Sequence, residues 1–600
     1  MHIAAIYIWP NSLPHIFGKN HQEITINLGG RNLYTLTGDR ELYYHRPNPF
    51  YLEDIVNDGV SLFTCIVGSN GGGKSTLLKQ LTSDGFQMYV IENEDDSFEI
   101  VDNLKTVHRV YYTPYLTGET FGAVGENGKD LSKTTMVRTD NHGDGALLDD
   151  FLGTHFSENM KRWIRFNHFY RQQAIPKVNL PSFEKITIRL EHFDFSNQSR
   201  DVFHDTAEQL RPVLRLLMKK IQDEKNLEER NALIGFNEGD GNATQRYFPV
   251  RFKYDLYEAA LGKLVNIFER RGNRYLREGF VPSDYKQKIA ELNVHGSLIW
   301  FLQNCGVDAG DRYIFDGHMS LISLIDYVVS IQSVERLTSN WLEMVVDEQE
   351  AFNIIDLYDE FNNGFNNEWF SYDTKPMFSF QPHIAVSSGE QSFLELFSTI
   401  YYHASNMRSL IGIDNYSFEP FEHLGNKVLL LLDEGDNAFH PRWRKAYVQH
   451  LRELLPIIFE GYQLQVIITS HDPLTLSDLP RNNAVFLEKI ERKTLVRSSE
   501  NTYTFGASIA DLLKDSFFIG DGQAGDFFAD IIDKVIKDIR RGGLSPRRVE
   551  EIERIVSTID EPVMRFKLAQ MLGDAIGDSR LEMQLIDQEI RNLQKRREEI

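Results

Sequence analysis

One stretch, Gly68-Ser69-Asn70-Gly71-Gly72-Gly73-Lys74-Ser75, constrains what this chain can fold into more than any other. Its glycines lack the Cβ that forbids positive φ, so the backbone is free to turn tightly on itself. The flanks say what the turn joins. Leu62 to Val67 is a short apolar, β-rich run and Ser75 to Leu81 has helical character, which predicts strand, loop, helix. The spacing fits G-x-x-x-x-G-K-[ST], in which a ring of inward-pointing backbone N–H groups cradles phosphate oxygens. Lys74 is expected to reach the β- and γ-phosphates and Ser75 to coordinate Mg²⁺, with the positive end of the following helix adding its field. Gly68, Asn70, Gly71, Gly72, Gly73 and Thr76 complete the set expected to line the nucleotide.

A loop of this kind needs a second half. Leu429-Leu430-Leu431-Leu432-Asp433-Glu434 supplies it: an apolar strand that delivers Asp433 to the Mg²⁺ shell and Glu434, as general base, to an attacking water. Val428 to Leu432 and Gln465 to Thr469 are continuous apolar runs of the kind found in parallel strands buried on both faces. The first 60 residues instead alternate apolar and polar positions, at Ile3 to Ile8, Ile24 to Leu28 and Leu33 to Leu36, and predict antiparallel strands. About 310 residues separate the loop from the next motif, and their period is largely helical, as in Val202 to Gln222 and Leu321 to Val346. Asn, Gly and Pro interrupt them too often for a long coiled-coil arm, so a compact helical lobe is expected. After about residue 508 the chain turns helical again, with Met583, Ile586, Ile590, Leu593 and Ile600 on a/d-like spacing broken by Arg597.

Bulk properties remove other classes. At 600 residues the chain has room for a large core and extra lobes, and no run of about 18 apolar residues or signal-peptide pattern is present, so it is expected in the cytoplasm, away from membranes. Cys65 and Cys305 are too few for a disulfide framework and too isolated for a zinc site. The net charge of −23 gives no global attraction for nucleic acid. Local basic clusters at Lys161 to Arg165, Arg270 to Tyr275 and Arg540 to Arg548 fit phosphate grips less well than solvated helix faces.

Three further segments carry a resemblance. Ser387-Ser388-Gly389-Glu390-Gln391, about 40 residues before the Asp-Glu strand, resembles the signature of ABC ATPases; Gly435 to Pro441 resembles their D-loop, and Thr469-Ser470-His471-Asp472-Pro473 their switch-histidine segment. With the glycine loop and Asp433-Glu434, the order of motifs from residue 60 to 480 resembles the soluble branch that holds the Rad50, RecF and overcoming-lysogenization-defect ATPases. The resemblance implies an α/β, ABC-type P-loop NTPase with a mixed central sheet and an antiparallel N-terminal β subdomain. It also implies a head-to-tail dimer in which Ser388 and Gly389 of one copy cap the γ-phosphate of ATP held by the other, while His471 contacts that phosphate. The expected domains are residues 1–145 and 376–505 for the ATPase core, 146–375 for the helical insertion and 506–600 for a helical, partner-binding extension. No Q-loop glutamine is visible near Val110-Tyr111-Tyr112-Thr113.

Asp433 to Trp443 and Phe505 to Ile519 are similar to the ATPase subunits of Septu-type antiphage systems, including those attached to retrons. That similarity implies a partner HNH-type nuclease, and in retron systems a reverse transcriptase with its RNA–DNA product, so that DNA or RNA is met indirectly. The chain itself is not expected to cut nucleic acid: no Asp-x-Asp pair occurs after residue 472, and His471 is the last histidine. The rival readings are a repair ATPase of the RecF or Rad50 type, which the missing coiled-coil arm disfavours, a transporter subunit, which the insertion, the extra C-terminal helices and the missing glutamine disfavour, and a non-enzymatic scaffold in which ATP only holds the assembly together.

Overall fold

The computed structural model describes the chain except residues 1, 38–41, 53–58, 84, 87, 94, 96, 118–126, 141–147, 174–177, 192–205, 235–240, 269–277, 309–311, 314–317, 334–335, 338–341, 365–375, 412–425, 492, 498–501, 514–524 and 599–600. It divides into two compact units, Met1–Gly506 and Ala507–Ile600.

A seven-stranded sheet organises the first unit. Its members are β1 (Val60–Gly68), β2 (Val107–Tyr112), β3 (Gly128–Asp130), β4 (Lys427–Asp433), β5 (Gln463–Thr469), β6 (Ala484–Ile490) and β7 (Lys493–Arg497), in the order β7-β6-β1-β5-β4-β2-β3. All neighbours run parallel except the β6–β7 hairpin. Leu429 to Leu432 are fully buried, as are Val466 to Ile468, because a central parallel strand packs against neighbours on both faces. Each such leucine contributes about 2 kcal/mol of transfer free energy, which holds the middle of the sheet rigid. Parallel pairing also brings the carboxyl ends of the strands to one edge. Asp433 lies opposite Thr469, and Thr469 opposite Ile66, so residues that are hundreds of positions apart in the chain end on one rim.

A second, antiparallel sheet of His2–Ile8, Ile24–Asn27, Tyr89–Glu92 and Phe98–Val101 covers one face, and Asn32–Leu36 pairs with Leu42–Pro47 beside it. Strands occur where the sequence places them, but His2–Ile8 is buried at every position instead of on alternate residues. Ile3 and Ile6 share a core with Leu62, Leu429 and Ile467. The Gln465 side chain fastens the two sheets: it accepts from the Ile3 N–H at 2.8 Å and donates to the Ile3 carbonyl at 2.9 Å.

The long stretch between the motifs is mostly helical. It includes α1 (Lys74–Thr82), α2 (Lys133–Asp140), α3 (Leu148–Gln172) and the helices Arg211–Leu233, Gly241–Phe268, His318–Ile331 and Glu348–Gly364, and α4 (Ser388–Ile411) follows it. It also holds an antiparallel sheet of Ile186–Leu190, Glu343–Val346 and Phe378–Pro382. The helical period read across Leu321 to Val346 therefore ends at Ile331. Glu343–Val346 is a strand, its burial alternating with period two and its β-branched Val345 and Val346 suited to a pleat. Of Val202 to Gln222, residues 202–205 lie outside the described residues and the helix begins at Arg211.

The second unit packs the helices Asp526–Arg541, Pro546–Ser557, Pro562–Ile576 and Arg580–Glu598 around Ile532, Val535, Ile552, Val556, Leu568, Leu572 and Leu585. Proline at the first turn and Ser545 or Glu561 as caps set two of the helix starts. Met583, Ile586 and Ile590 face outward, 64%, 42% and 47% exposed. No helix among the described residues is long and apolar enough to cross a membrane. Both cysteines are buried and unbonded.

Candidate functional site

The glycine loop connects β1 to α1 as the spacing predicts. Gly71 and Gly73 adopt φ of +71° and +91°, in the left-handed region that favours glycine. Gly68 is required for a different reason: a Cβ there would stand 2.4 Å from the Leu487 carbonyl oxygen of β6. Within the loop the Gly72 N–H donates to the Ser69 carbonyl at 3.0 Å, while Asn70 and Gly71 face solvent. Lys74 folds back under the loop, 6% exposed, and its Nζ donates to the Gly68 carbonyl at 3.0 Å. Burial lowers its pKa, and the nearby charges of Glu434 and Asp433 oppose that shift. Ser75 and Thr76 occupy the first turn of α1, partly open to solvent.

Asp433 ends β4, Glu434 follows it, and the two are tied to both neighbouring strands. Tyr111 of β2 donates its hydroxyl to Asp433 Oδ2 at 2.9 Å, and Thr469 of β5 donates to Asp433 Oδ1 at 2.6 Å. Burial, followed by the Asp433 charge, raises the Tyr111 pKa, so the phenol stays a donor. Thr469 Oγ1 also accepts from the Glu434 N–H at 2.9 Å, which fixes the turn leaving the strand. Glu434 takes φ of +52°, an uncommon conformation for a residue with a Cβ. Its carboxylate meets His471 Nε2 at 3.2 Å on Oε1 and accepts from the Tyr115 hydroxyl at 2.5 Å on Oε2. The hydrogen bond from His471, with that from Tyr115, holds its pKa down at about 2. Ser75, at the start of α1, and Asp433, at the end of β4, each offer a hard oxygen donor. No group of three or more His, Cys, Asp or Glu among the described residues forms a metal cage. Oxygen donors of this kind suit Mg²⁺, which keeps waters and phosphate oxygens in its shell.

The turn after Glu434 is anchored beneath the rim. Asp436 is buried and accepts from Ser470 at 2.6 Å and Thr475 at 3.2 Å; burial pushes its pKa up. Arg444 pairs with Asp472 at 3.1 Å. These contacts hold the segment around His471 against Gly435 to Pro441. Ser387 caps α4 through a reciprocal pair: its N–H and hydroxyl donate to Glu390 Oε2 at 3.0 and 2.7 Å, and the Glu390 N–H returns to Ser387 Oγ at 3.3 Å. Ser388 is thereby left exposed at the helix start. A Cβ at Gly389 would lie 3.4 Å from the Ala438 carbonyl and 3.8 Å from the His440 nitrogen, so Ser388 and Gly389 pack beside the D-loop-like turn.

Tyr115 and Thr469 were missed as site residues. Thr469 carried a signal, standing at the end of an apolar strand two places before His471; Tyr115 carried none, since its role depends on a loop returning to Glu434. The basic cluster at Lys161 to Arg165 is structural. Lys161 and Arg162 are buried, Arg162 making a bidentate pair with Asp140, and Arg165 pairs with Asp359. Arg548 pairs with Asp538 and Glu551, and Arg270 to Tyr275 lies outside the described residues.

No protein-family model matches the chain. Two curated proteins are similar to parts of it. Septu protein PtuA of Bacillus mycoides (strain KBAB4) is 24% identical over 212 residues, 34% of this chain and 25% of that protein. The "Retron Vc95 probable ATPase" of Vibrio cholerae serotype O1 biovar El Tor is 24% identical over 170 residues, 28% of this chain and 30% of that protein. The matched regions thus span less than a third of either relative, and the likeness supports an ATPase-like defence family at the coarse level of those two names.

Proposed function

We propose that this chain is an ABC-type P-loop ATPase that closes as a head-to-tail dimer around ATP and, as an antiphage defence component, controls a partner nuclease. The observation that carries the reading is the meeting, on one rim of a parallel sheet, of Lys74, Asp433, Glu434 and His471, with Tyr111 and Thr469 orienting the Asp433 carboxylate. Loop N–H groups from Gly68 to Ser75 and the start of α1 bind the phosphates, and Lys74 supplies a fixed positive charge where charge gathers on the γ-phosphate. Ser75 and Asp433 hold Mg²⁺, which when bound neutralises charge on the phosphate oxygens. Glu434 orients and deprotonates the attacking water, and His471, 38% exposed, faces the same space.

Ser388 of a second copy completes the site, a role its exposure at the start of α4 permits. Loss of the γ-phosphate then removes the contacts that hold the copies together. Residues 506–600 serve as the partner-binding extension; Phe527, Val563 and Met583, at 81%, 75% and 64% exposed, provide apolar anchors for it. In this reading the partner is an HNH-type nuclease, with a retron reverse transcriptase and its RNA–DNA product as further members and DNA or RNA as the eventual target; the relatives' names support a defence-system ATPase and no particular partner.

The decisive experiment measures ATP turnover and particle mass with and without ATP. Glu434→Gln is expected to accumulate as an ATP-bound dimer, and Lys74→Ala to lose nucleotide binding. Turnover by the Glu434 variant at the wild-type rate sinks the assignment of the base.

A further inference from the structure

We infer that Tyr115 is a positioning residue that restrains Glu434 until α4 is engaged by a second copy. The inference rests on the ATPase reading and adds regulation to the same site. Each oxygen of Glu434 carries a donor, His471 on one and Tyr115 on the other. Those donors fill two of the carboxylate's about four lone-pair sites, so a water can still be held, but each donor draws on the charge that would take the water's proton, and Glu434 becomes the stronger base when one bond yields. The Tyr115 bond is the shorter, 2.5 Å against 3.2 Å, and its donor is a neutral phenol held protonated by burial and by the Glu434 charge.

What makes Tyr115 controllable is where its loop is pinned. The segment leaves β2, and the residues on either side of Tyr115 are held by the first turn of α2: the Lys133 N–H donates to the Thr113 carbonyl at 3.0 Å, and the Thr117 N–H donates to Thr134 Oγ1 at 2.7 Å. α2 is in turn clamped to α4 at one residue. Lys133 Nζ meets Glu395 Oε2 at 3.0 Å, and His155 of α3 stands 3.8 Å from Glu395 Oε1 while its other nitrogen bonds Asp140, the last residue of α2. Glu395 lies two helical turns, about 10 Å, beyond Ser388 on the same helix. The Lys133–Glu395 pair is largely removed from water, Glu395 being 7% exposed, so a shift of α4 is resisted by α2 and carried to the Tyr115 loop. Engagement of Ser388 by the triphosphate of a second copy is therefore linked to release of Glu434.

The test is steady-state ATP hydrolysis by the full chain and its Tyr115→Phe, Lys133→Met and double variants, with Lys74→Ala and Glu434→Gln alongside. Tyr115→Phe keeps the ring and removes only the bond, so kcat is expected to rise about tenfold with KM unchanged within about twofold. Lys133→Met, remote from ATP, is expected to raise kcat in the same direction, and the double variant to match Tyr115→Phe alone because both changes act on one restraint. An unchanged or reduced kcat in Tyr115→Phe overturns the inference, as does strict additivity of the two changes. Wild-type turnover by Lys74→Ala instead overturns the reading of this site as the ATPase site, and wild-type turnover by Glu434→Gln overturns the assignment of the base, which keeps these failures apart from that of Tyr115→Phe.

Discussion

Glu92 and Glu434 are the same side chain at the end of a strand, in surroundings of opposite kind. Glu92, 2% exposed, accepts from the His2 ring, the Arg31 and Asn32 N–H groups, the Asn32 amide and the Tyr34 hydroxyl. Those donors come from the backbone, from His2 of the antiparallel sheet and from Asn32 and Tyr34 of the strand pair beside it, and a carboxylate so held is a structural pin. Glu434 is 22% exposed, sits at positive φ, and is held by His471 and by Tyr115, itself 40% exposed. Burial with complete hydrogen bonding produces rigidity; partial exposure, backbone strain and partners on loops produce a group that can change partners.

The contrast breaks most readily at Glu434. Glu434→Gln is expected to reduce ATP turnover by about 10²- to 10⁴-fold while thermal unfolding stays near wild type. Glu92→Gln should do the reverse, lowering stability by about 2 kcal/mol in denaturant titration and leaving kcat unchanged. If Glu92→Gln impairs turnover at unchanged stability, the division between pin and working group fails. Next in size, Lys74→Ala should weaken ATP binding by about 10- to 100-fold, read by calorimetry.

Acidity sharpens the comparison. Burial alone would raise the Glu92 pKa, but the hydrogen bonds from His2 and Tyr34 outweigh it and hold it below the ordinary 4.5. The folded state therefore binds that proton less readily than the unfolded chain. The stability contributed by Glu92 is complete above pH 4.5 and is lost as pH falls below that value toward the lower folded one. The wild type should lose stability across that range and Glu92→Gln should lose less; equal slopes would remove Glu92 as the source. The smallest effect concerns the start of α4. Ser387→Ala should cost about 1 kcal/mol through the lost cap, whereas Ser388→Ala, whose side chain is exposed, should spare stability and lower turnover.

Much of the site was legible because its chemistry is written in short local patterns. A glycine loop between a strand and a helix, and a run of leucines ending in Asp-Glu, state their conformations through propensity and period, and β1, α1, β4 and β5 occur where those patterns lie. Leu321 to Val346 reads as one helix in the sequence because an apolar run has no single period when a helix and a strand follow in succession. The basic cluster at Lys161 to Arg165 read as a surface feature because Asp140, which neutralises Arg162, is 22 positions away in the chain.

By itself, the sequence determined the local conformations around Gly68 to Ser75, the buried strands that carry Asp433 and Thr469, and the residue types available for phosphate and metal chemistry. Only the tertiary structure decided which groups meet. Parallel register sets Asp433 against Thr469, a loop returning from β2 brings Tyr115 to Glu434, and Lys133 reaches Glu395 from 262 positions away. Propensity acts over a few residues, whereas a hydrogen bond between distant residues exists only once packing has closed the chain between them.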